Sequence, residues 1–420
     1  EARPLRRDTA VTLPASGVVY FYSTRASFAT ILVEIKYRIA KIEIISMIRR
    51  LTINGFRGFQ NYEVGNLGRV NLLVGTNNCG KTTVLEAVNL LASTGDVSAI
   101  SELCARRGER LIDTDKERRE YEFGVNHLFF GHSVGIASTF RFEAETDQRR
   151  ETFRASIHEN LEQRFLFDDK GEGGAGSENR NFFEEPALLL DLDWSLDDGK
   201  PIRIPLSVRG GFTHSSMRRV SRIRTEGERS VQFISTGGLL IDSVIDLFEN
   251  IVLSSEEELV IDALRSIDPQ IQRIATITNH RRYSSTVYRG GFVVKLDGLE
   301  QRVPIGSMGD GIWRMLGLAL AIASAKGGIV LIDEIDTGLH FTVLEKMWRL
   351  VYEAAKRLDV QVFATTHSRD AYESLAAIAR PGVSDESDVT IQRIDSSGST
   401  AVTFTEQEII ASAEHDTEVR

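Results

Sequence analysis

The stretch VGTNNCGKTT constrains the fold of this chain more than any other. It follows the apolar run VNLLV and precedes the helical pattern VLEAVNLLA. Two glycines, Gly75 and Gly80, are followed by Lys81 and Thr82 in the spacing of a phosphate-binding loop, and the flanking strand and helix are the context that such a loop requires. The sequence therefore predicts an α/β nucleotide-binding protein.

Each position of this loop has an expected role toward a bound nucleotide. Glycines let backbone N–H groups curl around phosphates, and the following helix N-terminus adds a favourable dipole. Lys81 is expected to reach the β- and γ-phosphates, Thr82 to ligate Mg²⁺ and Thr83 to bind near the α-phosphate. The predicted nucleotide-binding residues of the loop are Gly75, Asn77, Asn78, Gly80, Lys81, Thr82 and Thr83.

Two later apolar runs predict buried strands that end in functional groups. IVLIDE ends in Asp333 and Glu334, and VQVFATTHS ends in His367 and Ser368. Strand, helix and strand in this order predict parallel crossovers, which bring carboxyl ends to one edge of the sheet. Asp333 is expected to act on Mg²⁺, Glu334 on the attacking water, and His367 on the γ-phosphate. The plainer alternatives are a loop that begins with two acidic residues and a structural histidine.

The stretch GSMGDGIWRMLGLALAIASA predicts a buried helix that begins near a serine among glycines. In one interpretation Ser307 caps the helix and Asp310 completes a capping box. In the other, this N-terminus faces the phosphate of a nucleotide held by a second subunit. The two interpretations are compatible, and the sequence leaves both open.

The chain divides into a core and an insertion on the basis of these patterns. Residues 47–92 and 304–420 are expected to form the nucleotide-binding core, and 93–303 an inserted lobe of antiparallel strands and helices. Residues 1–46 are interpreted as a leader, or alternatively as an arm. No heptad pattern is sustained, so no long coiled coil is expected.

Charge and cysteine content narrow the function classes. The net charge of −10 argues against a surface coated for nucleic acid, and the stretch RRVSRIR is interpreted as a solvated edge strand, not a nucleic-acid patch. The segment DLDW is interpreted as a turn, not a metal site. Two cysteines fit a reducing cytoplasm, and no apolar run is long enough for a membrane span.

The ordered set of motifs resembles the heads of ABC-type ATPases. The phosphate-binding loop, serine-glycine helix start, DE strand end, DTGLH turn and strand-terminal histidine follow in that order, and LTINGFRGFQN is similar to the first strands of the RecF, SMC and OLD branch. The doubled asparagine of GTNNCGKTT looks most like OLD-type ATPases. SMGDG is a loose version of the family signature, and no glutamine of this sequence clearly matches the position that usually completes the magnesium site.

The resemblance implies a head-to-tail dimer or higher oligomer with ATP and Mg²⁺ between its subunits. ATP held by Lys81 and Thr82 of one head would meet Ser307 and Gly309 of the other. Glu334 would be the general base and Asp333 a magnesium ligand. Asp336 would lie at the dimer seam, and Arg57 would lie near the nucleotide.

The resemblance also suggests a partner protein. OLD nucleases carry a Toprim domain after the head, whereas only 53 residues follow His367 here, so nuclease activity is not carried over. Two-gene phage-defence systems, including those of the PARIS kind, pair such an ATPase with a separate Toprim-like protein. The favoured function is ATP hydrolysis that controls an effector. The alternatives are an ATP-bound scaffold and a RecF-like repair factor, and Glu334 favours hydrolysis over the scaffold.

Overall fold

The computed structural model describes residues 46–111, 122–159, 188–194, 201–207, 209–213, 229–277, 291–380, 383–384 and 387–415. All of these residues belong to one structural unit, Ile45–Arg420. The predicted leader, apart from Ser46, and the stretch RRVSRIR lie outside the described residues, so the interpretations of both segments stay predictions.

The described residues form strands and helices in mixed order. The strands are β1 Ile48–Phe56, β2 Phe59–Val64, β3 Val70–Val74, β4 Arg110–Leu111, β5 Glu122–Gly124, β6 Thr139–Thr146, β7 Arg150–Glu159, β8 Leu188–Trp194, β9 Ile202–Leu206, β10 Gly211–Thr213, β11 Val231–Ile234, β12 Ile271–Thr276, β13 Phe292–Leu296, β14 Val303–Pro304, β15 Ile329–Ile332, β16 Gln361–Thr365, β17 Val389–Arg393 and β18 Val402–Phe404. The helices are α1 Lys81–Ala92, α2 Ser98–Arg106, α3 Ile241–Ile251, α4 Glu257–Arg265, α5 Asp310–Ser324, α6 Phe341–Leu358, α7 Arg369–Ala379 and α8 Glu406–His415.

One six-stranded sheet carries the elements that the sequence predicts as buried strands. Its order is β11-β15-β16-β3-β17-β18, and all neighbours are parallel except β17 and β18. Strands β3, β15 and β16 are buried at every position, as expected for parallel strands that are covered on both faces. The predicted α/β fold is confirmed. These three strands are adjacent and parallel, so their carboxyl ends lie at the same edge of the sheet. The residues that follow them there include Gly75, Asp333 and His367.

A second six-stranded sheet is antiparallel, in the order β2-β1-β6-β7-β8-β9. Its strands alternate between buried and more exposed residues, with Phe142 and Phe153 on the buried face. This face packs with α1 and with one face of the parallel sheet in a shared hydrophobic cluster. The other face of the parallel sheet packs with α5, α6 and α7. Helix α1 is thus held in the core between two sheets.

The predicted insertion, residues 93–303, contributes strands to both large sheets. Strands β6 to β9 extend the sheet begun by β1 and β2, and β11 pairs with β15 at the edge of the parallel sheet. The sequence predicts helices in this region, and α3 and α4 are among those that the structure shows there. The boundaries at 93 and 303 stay a prediction.

The interpretation of DLDW as a turn is wrong. These residues end β8, which pairs with β7 and β9. Leu190, Leu192 and Trp194 point into the core, whereas Asp193 is exposed and Asp191 forms an ion pair with Arg203. The alternation of apolar and acidic residues from Leu190 to Trp194 indicates a strand, and the resemblance of DLDW to a short polar motif obscured that pattern.

The sequence predicts neither a long coiled coil nor a membrane-spanning segment, and both expectations concern the length of the helices. Within the described ranges the longest helix is α6, with 18 residues. No helix in that part of the chain combines the length and apolarity needed to cross a bilayer.

Candidate nucleotide-binding site

The loop between β3 and α1 has a backbone that requires glycine at two positions. Gly75 has a φ of 139° and Gly80 a φ of 106°, which L side chains rarely adopt. A β-carbon on Gly75 would overlap the carbonyl oxygen of Ile394, and one on Gly80 would overlap the ring of Phe59. Asn78 has a φ of 59°, which asparagine tolerates better than most residues. The positive φ values and the lack of room for a β-carbon therefore both explain why these two positions are glycine.

The start of α1 is open to an anion. No side chain caps its N-terminus, and no acidic residue lies in its first turn. Asn77 and Asn78 are exposed, Thr82 is partly exposed, and Thr83 is buried. The first N–H groups of a helix have no partner within the helix, so a phosphate at this position would receive several backbone hydrogen bonds.

Replacing Gly80 with alanine is expected to destabilise the protein more than the same change at Gly327. Gly327 also has a positive φ, 74°, but a β-carbon there meets nothing within 4 Å. Backbone strain costs about 1–3 kcal/mol at either site, and overpacking against Phe59 adds roughly 1–3 kcal/mol at Gly80 only. Urea unfolding of both variants measures the difference. Equal losses of stability would show that the Phe59 ring moves aside freely.

Lys81 is held inside the loop. Its side chain is 5% exposed, and its Nζ donates to the carbonyl oxygens of Gly75 at 2.9 Å and Thr76 at 2.8 Å. The same nitrogen lies 3.5 Å from Nδ1 of His367. Burial lowers the pKa of the Lys81 ammonium, while the nearby Cys79 thiol and acidic side chains oppose that shift. A phosphate would offer this ammonium a stronger acceptor than the two carbonyl oxygens.

Asp333 lies at the centre of a hydroxyl cluster. Its Oδ1 accepts hydrogen bonds from Thr365 at 2.8 Å and from Thr82 at 3.2 Å, and its Oδ2 accepts one from Thr236 at 3.2 Å. Thr82 belongs to the phosphate-binding loop, Thr365 ends β16, and Thr236 follows β11. The structure therefore joins the two predicted magnesium ligands, Thr82 and Asp333, through a direct contact.

The donor set at this point fits Mg²⁺. The Thr82 hydroxyl and the Asp333 carboxylate are oxygen donors only 3.2 Å apart. Magnesium is usually bound through one or two protein oxygens and completes its shell with phosphate oxygens and water. Two protein ligands beside a phosphate-binding loop are enough for this mode of binding.

Glu334 has an unusual backbone conformation. Its φ is 50°, a left-handed value that costs a non-glycine residue of order 1–3 kcal/mol and that clusters at active sites. Its amide donates to the Thr365 hydroxyl at 2.8 Å, and its Oε2 accepts a hydrogen bond from Thr337 at 3.2 Å. Its carbonyl oxygen accepts from Arg314 at 2.9 Å. The surroundings hold Glu334 in place at the edge of the sheet.

Asp336 and His367 lie close to this edge. Asp336 Oδ1 accepts a hydrogen bond from Thr366 at 2.5 Å, and the Thr366 hydroxyl also accepts from the amide of Ser368. His367, between these two residues in sequence, is exposed and contacts the Lys81 ammonium. The structure thus brings together Lys81, Asp333, Glu334 and His367 as the sequence predicts.

Ser307 does not cap helix α5. Ser307 belongs to a 3₁₀ turn, Ile305–Met308, and α5 begins only at Asp310. Gly309, with a φ of 91°, is the N-cap residue, and no side-chain hydrogen bond caps the helix. The capping-box interpretation is therefore wrong, because the separate turn moves Ser307 out of the N-cap position. Ser307 and Gly309 are exposed, and their contact with a second subunit stays a prediction.

Arg57 is engaged in a buried ion-pair network. Its side chain is 5% exposed, its Nη1 donates to Glu109 at 2.5 Å, and its Nε lies 2.6 Å from Glu86 Oε2, off the hydrogen-bond direction. Glu86 also accepts two hydrogen bonds from Arg107. Glu86 is on α1, four residues after Thr82. Arg57 thus anchors the nucleotide-binding helix, and the structure shows no contact between its side chain and the loop.

Three residues of this site were missed in the sequence. Thr365 and Thr236 surround Asp333, and Arg314 contacts the carbonyl oxygens of Asp333 and Glu334. A signal existed for Arg314, because it is the one charged residue in the run IWRMLGLALAIA. No signal existed for Thr236, which follows a strand in the predicted insertion.

The fold and the site define a class of protein. A parallel sheet presents a glycine loop with its lysine, a threonine-aspartate pair and an adjacent glutamate at one edge, which are the parts of a P-loop nucleotide hydrolase. A family model described as an AAA ATPase domain matches residues 47–172. Another, described as "AAA domain, putative AbiEii toxin, Type IV TA system", matches residues 216–371. The chain is a P-loop ATPase, and two parts of its sequence are similar to AAA domains.

Similar proteins include one curated relative and several solved structures. An "ATP/GTP phosphatase" from Helicobacter pylori (strain ATCC 700392 / 26695) is 23% identical over 349 residues, which are 80% of this chain and 89% of the relative. The SMC head domain from Thermotoga maritima matches 85% of this chain and 98% of its own, at 14% identity and a TM-score of 0.42. An SmcHead bound to the C-winged helix domain of ScpA matches 86% and 99%, at 15% identity and a TM-score of 0.41.

Proposed function

We propose that this ATPase hydrolyses ATP with Glu334 as general base, in a site that a second copy of the chain completes, and that the cycle controls a separate effector. The observation that carries the proposal is the hydroxyl cluster around Asp333. It joins the phosphate-binding loop to the strand end that bears Glu334. A carboxylate fixed next to a metal-binding pair is suited to activate water.

The residues of one chain divide the chemistry among them. Lys81 exchanges its carbonyl partners in the loop for the β- and γ-phosphate oxygens. Thr82 and Asp333 would hold Mg²⁺, which supplies charge neutralisation on the phosphates. Glu334 takes a proton from the attacking water, and His367 donates a hydrogen bond toward the γ-phosphate. The contact between His367 and Lys81 supports this division, because both side chains face the same point.

A second copy supplies the rest of the site in this proposal. Ser307 and Gly309 are exposed, and they precede a helix whose N-terminus carries no side-chain cap. Such a terminus can accept an anion from another molecule. A head-to-tail arrangement would place it against the γ-phosphate held by Lys81 of the partner, with Asp336 at the seam. The sequence resemblance to ABC-type heads supports the same arrangement.

The partner effector follows from the sequence resemblance. OLD-type and PARIS-type systems suggest a separate Toprim-like protein and a role in phage defence. The family model whose description names a putative AbiEii toxin is in keeping with a two-component bacterial system. An ATP-driven change in assembly would be the signal that the effector receives.

Light scattering with and without ATP and Mg²⁺ tests the proposed assembly. The wild-type mass is expected to rise with ATP, and Ser307→Glu is expected to prevent the rise because a carboxylate would face the partner's phosphate. Ser133→Glu adds the same charge at another exposed serine and is expected to behave as wild type. Phosphate release is measured on the same samples. An assembly indifferent to ATP, with little phosphate released, would instead establish a nucleotide-bound scaffold.

A further inference from the structure

Arg314 contacts the main chain of both candidate catalytic carboxylates. It lies on α5, is 7% exposed, and its Nη2 donates to the carbonyl oxygens of Glu334 at 2.9 Å and Asp333 at 3.3 Å. Its Nη1 donates to the carbonyl oxygen of Ser235 at 3.3 Å. We propose that Arg314 is a positioning residue for ATP hydrolysis that acts through Glu334. This inference rests on the proposed role of Glu334 as the base.

The backbone of Glu334 needs support on both sides. A left-handed conformation persists in a non-glycine residue only where neighbouring groups hold it. The Thr365 hydroxyl accepts the amide hydrogen of Glu334, and Arg314 binds its carbonyl oxygen. Arg314 thus fixes the peptide that follows Glu334, while Thr365 fixes the peptide before it. With both peptides fixed, the direction of the Cα–Cβ bond of Glu334 is fixed as well, and Thr337 contacts the end of its side chain.

The same guanidinium also connects two strand ends. Ser235, which Arg314 binds, precedes Thr236, whose hydroxyl donates to Asp333 Oδ2. Arg314 therefore orders the turn after β11 and the residues after β15 together. A planar guanidinium can reach three carbonyl oxygens from fixed directions, whereas a lysine ammonium is a single point.

The location of Arg314 is costly unless these contacts are needed. Burial lowers the pKa of its guanidinium, and the charges of Asp336, Asp333 and Glu334 oppose that shift. Ile312, Met315 and Leu316, its neighbours on α5, are apolar and buried, so a methionine would fill the volume without desolvating a charge. In this proposal the donors of the arginine hold the site, which offsets the cost of burying its charge.

Kinetics of Arg314→Lys and Arg314→Met test the proposal against a matched arginine. Arg69 precedes β3 at the opposite edge of the sheet, is largely buried, and also donates to two carbonyl oxygens, those of Ala355 and Val360. Arg314→Lys is expected to lower kcat about 10–100-fold, because displacing a reacting group by about 1 Å has an effect of this order. Affinity for a non-hydrolysable ATP analogue is expected to stay within about threefold, because the phosphate-binding loop is untouched. Arg69→Lys is expected to leave kcat unchanged.

The double variant Arg314→Lys/Glu334→Gln shows whether Arg314 acts through the base. If it does, the double variant turns over no more slowly than Glu334→Gln alone, since residues that act as a unit are not additive. If the losses of the two single variants multiply in the double variant, the proposal is overturned. A wild-type kcat in Arg314→Lys would also overturn it.

Two further outcomes separate the possible failures. If both Arg314 variants fail to fold while Arg69→Lys folds, Arg314 serves the fold and the proposal is overturned. If Glu334→Gln alone turns over at the wild-type rate, the proposed base is wrong, and a slow Arg314→Lys would then have to act by another route.

Discussion

Replacing Glu334 with glutamine is expected to reduce phosphate release by about 10²–10⁴-fold, the usual contribution of a general base. The amide is nearly the same size, and its oxygen can still accept the hydrogen bond from Thr337, but it cannot take a proton from water. Nucleotide affinity is expected to stay close to wild type because Lys81 and Thr82 are unchanged. The measurement is a steady-state phosphate assay with a parallel binding titration.

Stability and assembly provide the checks on this result. Because Glu334 is partly exposed, the substitution Glu334→Gln is expected to change the free energy of unfolding of the protein by no more than about 0.5 kcal/mol. The ATP-dependent increase in mass is expected to persist in Glu334→Gln, since the nucleotide is bound and not consumed. Glu353→Gln, on the exposed face of α6, is the matched control and should turn over as wild type. Normal turnover in Glu334→Gln would place the base elsewhere.

The sheet edge could be predicted because its strands are continuous apolar runs that end in polar groups. VNLLV, GIVLI and VQVFA each indicate a strand buried on both faces, and the predicted site residues follow them in the sequence. Parallel crossovers then bring Lys81, Asp333, Glu334 and His367 together without any knowledge of strand order. For these four residues, local pattern and topology point to the same edge.

Contacts between strand ends could not be predicted in the same way. The hydrogen bond from Thr365 to Asp333 depends on β15 and β16 being neighbours, and Thr236 reaches Asp333 only because β11 lies on the other side of β15. Pairing between strands that are distant in sequence leaves no local trace. The sequence therefore predicts which carboxylate would bind a metal ion, but not which hydroxyls orient that carboxylate.

Arg57 shows what a local motif leaves undetermined about a side chain. That Arg57 lies near the nucleotide stays a prediction from the resemblance of the run FRGF. The structure pairs its side chain with Glu109, which is 52 positions away in the chain. A buried arginine takes the carboxylates that the fold brings to it, because an unpaired buried charge is costly. The identity of those carboxylates depends on how α1 and α2 pack, and the motif carries no information about that.

Replacing Lys81 with alanine is expected to weaken ATP binding by more than about tenfold and to abolish measurable turnover. Loss of one partner of a buried, charged hydrogen bond costs about 2–5 kcal/mol, and 1.4 kcal/mol corresponds to a factor of ten. Lys346→Ala is the matched control, because Lys346 also donates to a backbone carbonyl oxygen, that of Ser266, on the exposed side of α6. Calorimetric titration with ATP and Mg²⁺ measures both affinities.

The pH dependence of ATP affinity separates the charge of Lys81 from its packing. Because burial lowers the pKa of the ammonium in the nucleotide-free protein, this group loses its proton at a lower pH than an exposed lysine. Wild-type affinity is therefore expected to fall as the pH rises through that lowered pKa, and Lys81→Ala should lack this component. A wild-type profile that is flat over the alkaline range, and the same as that of Lys81→Ala, would mean that the ammonium does not bind the phosphates. The loop would then hold ATP by its backbone N–H groups alone.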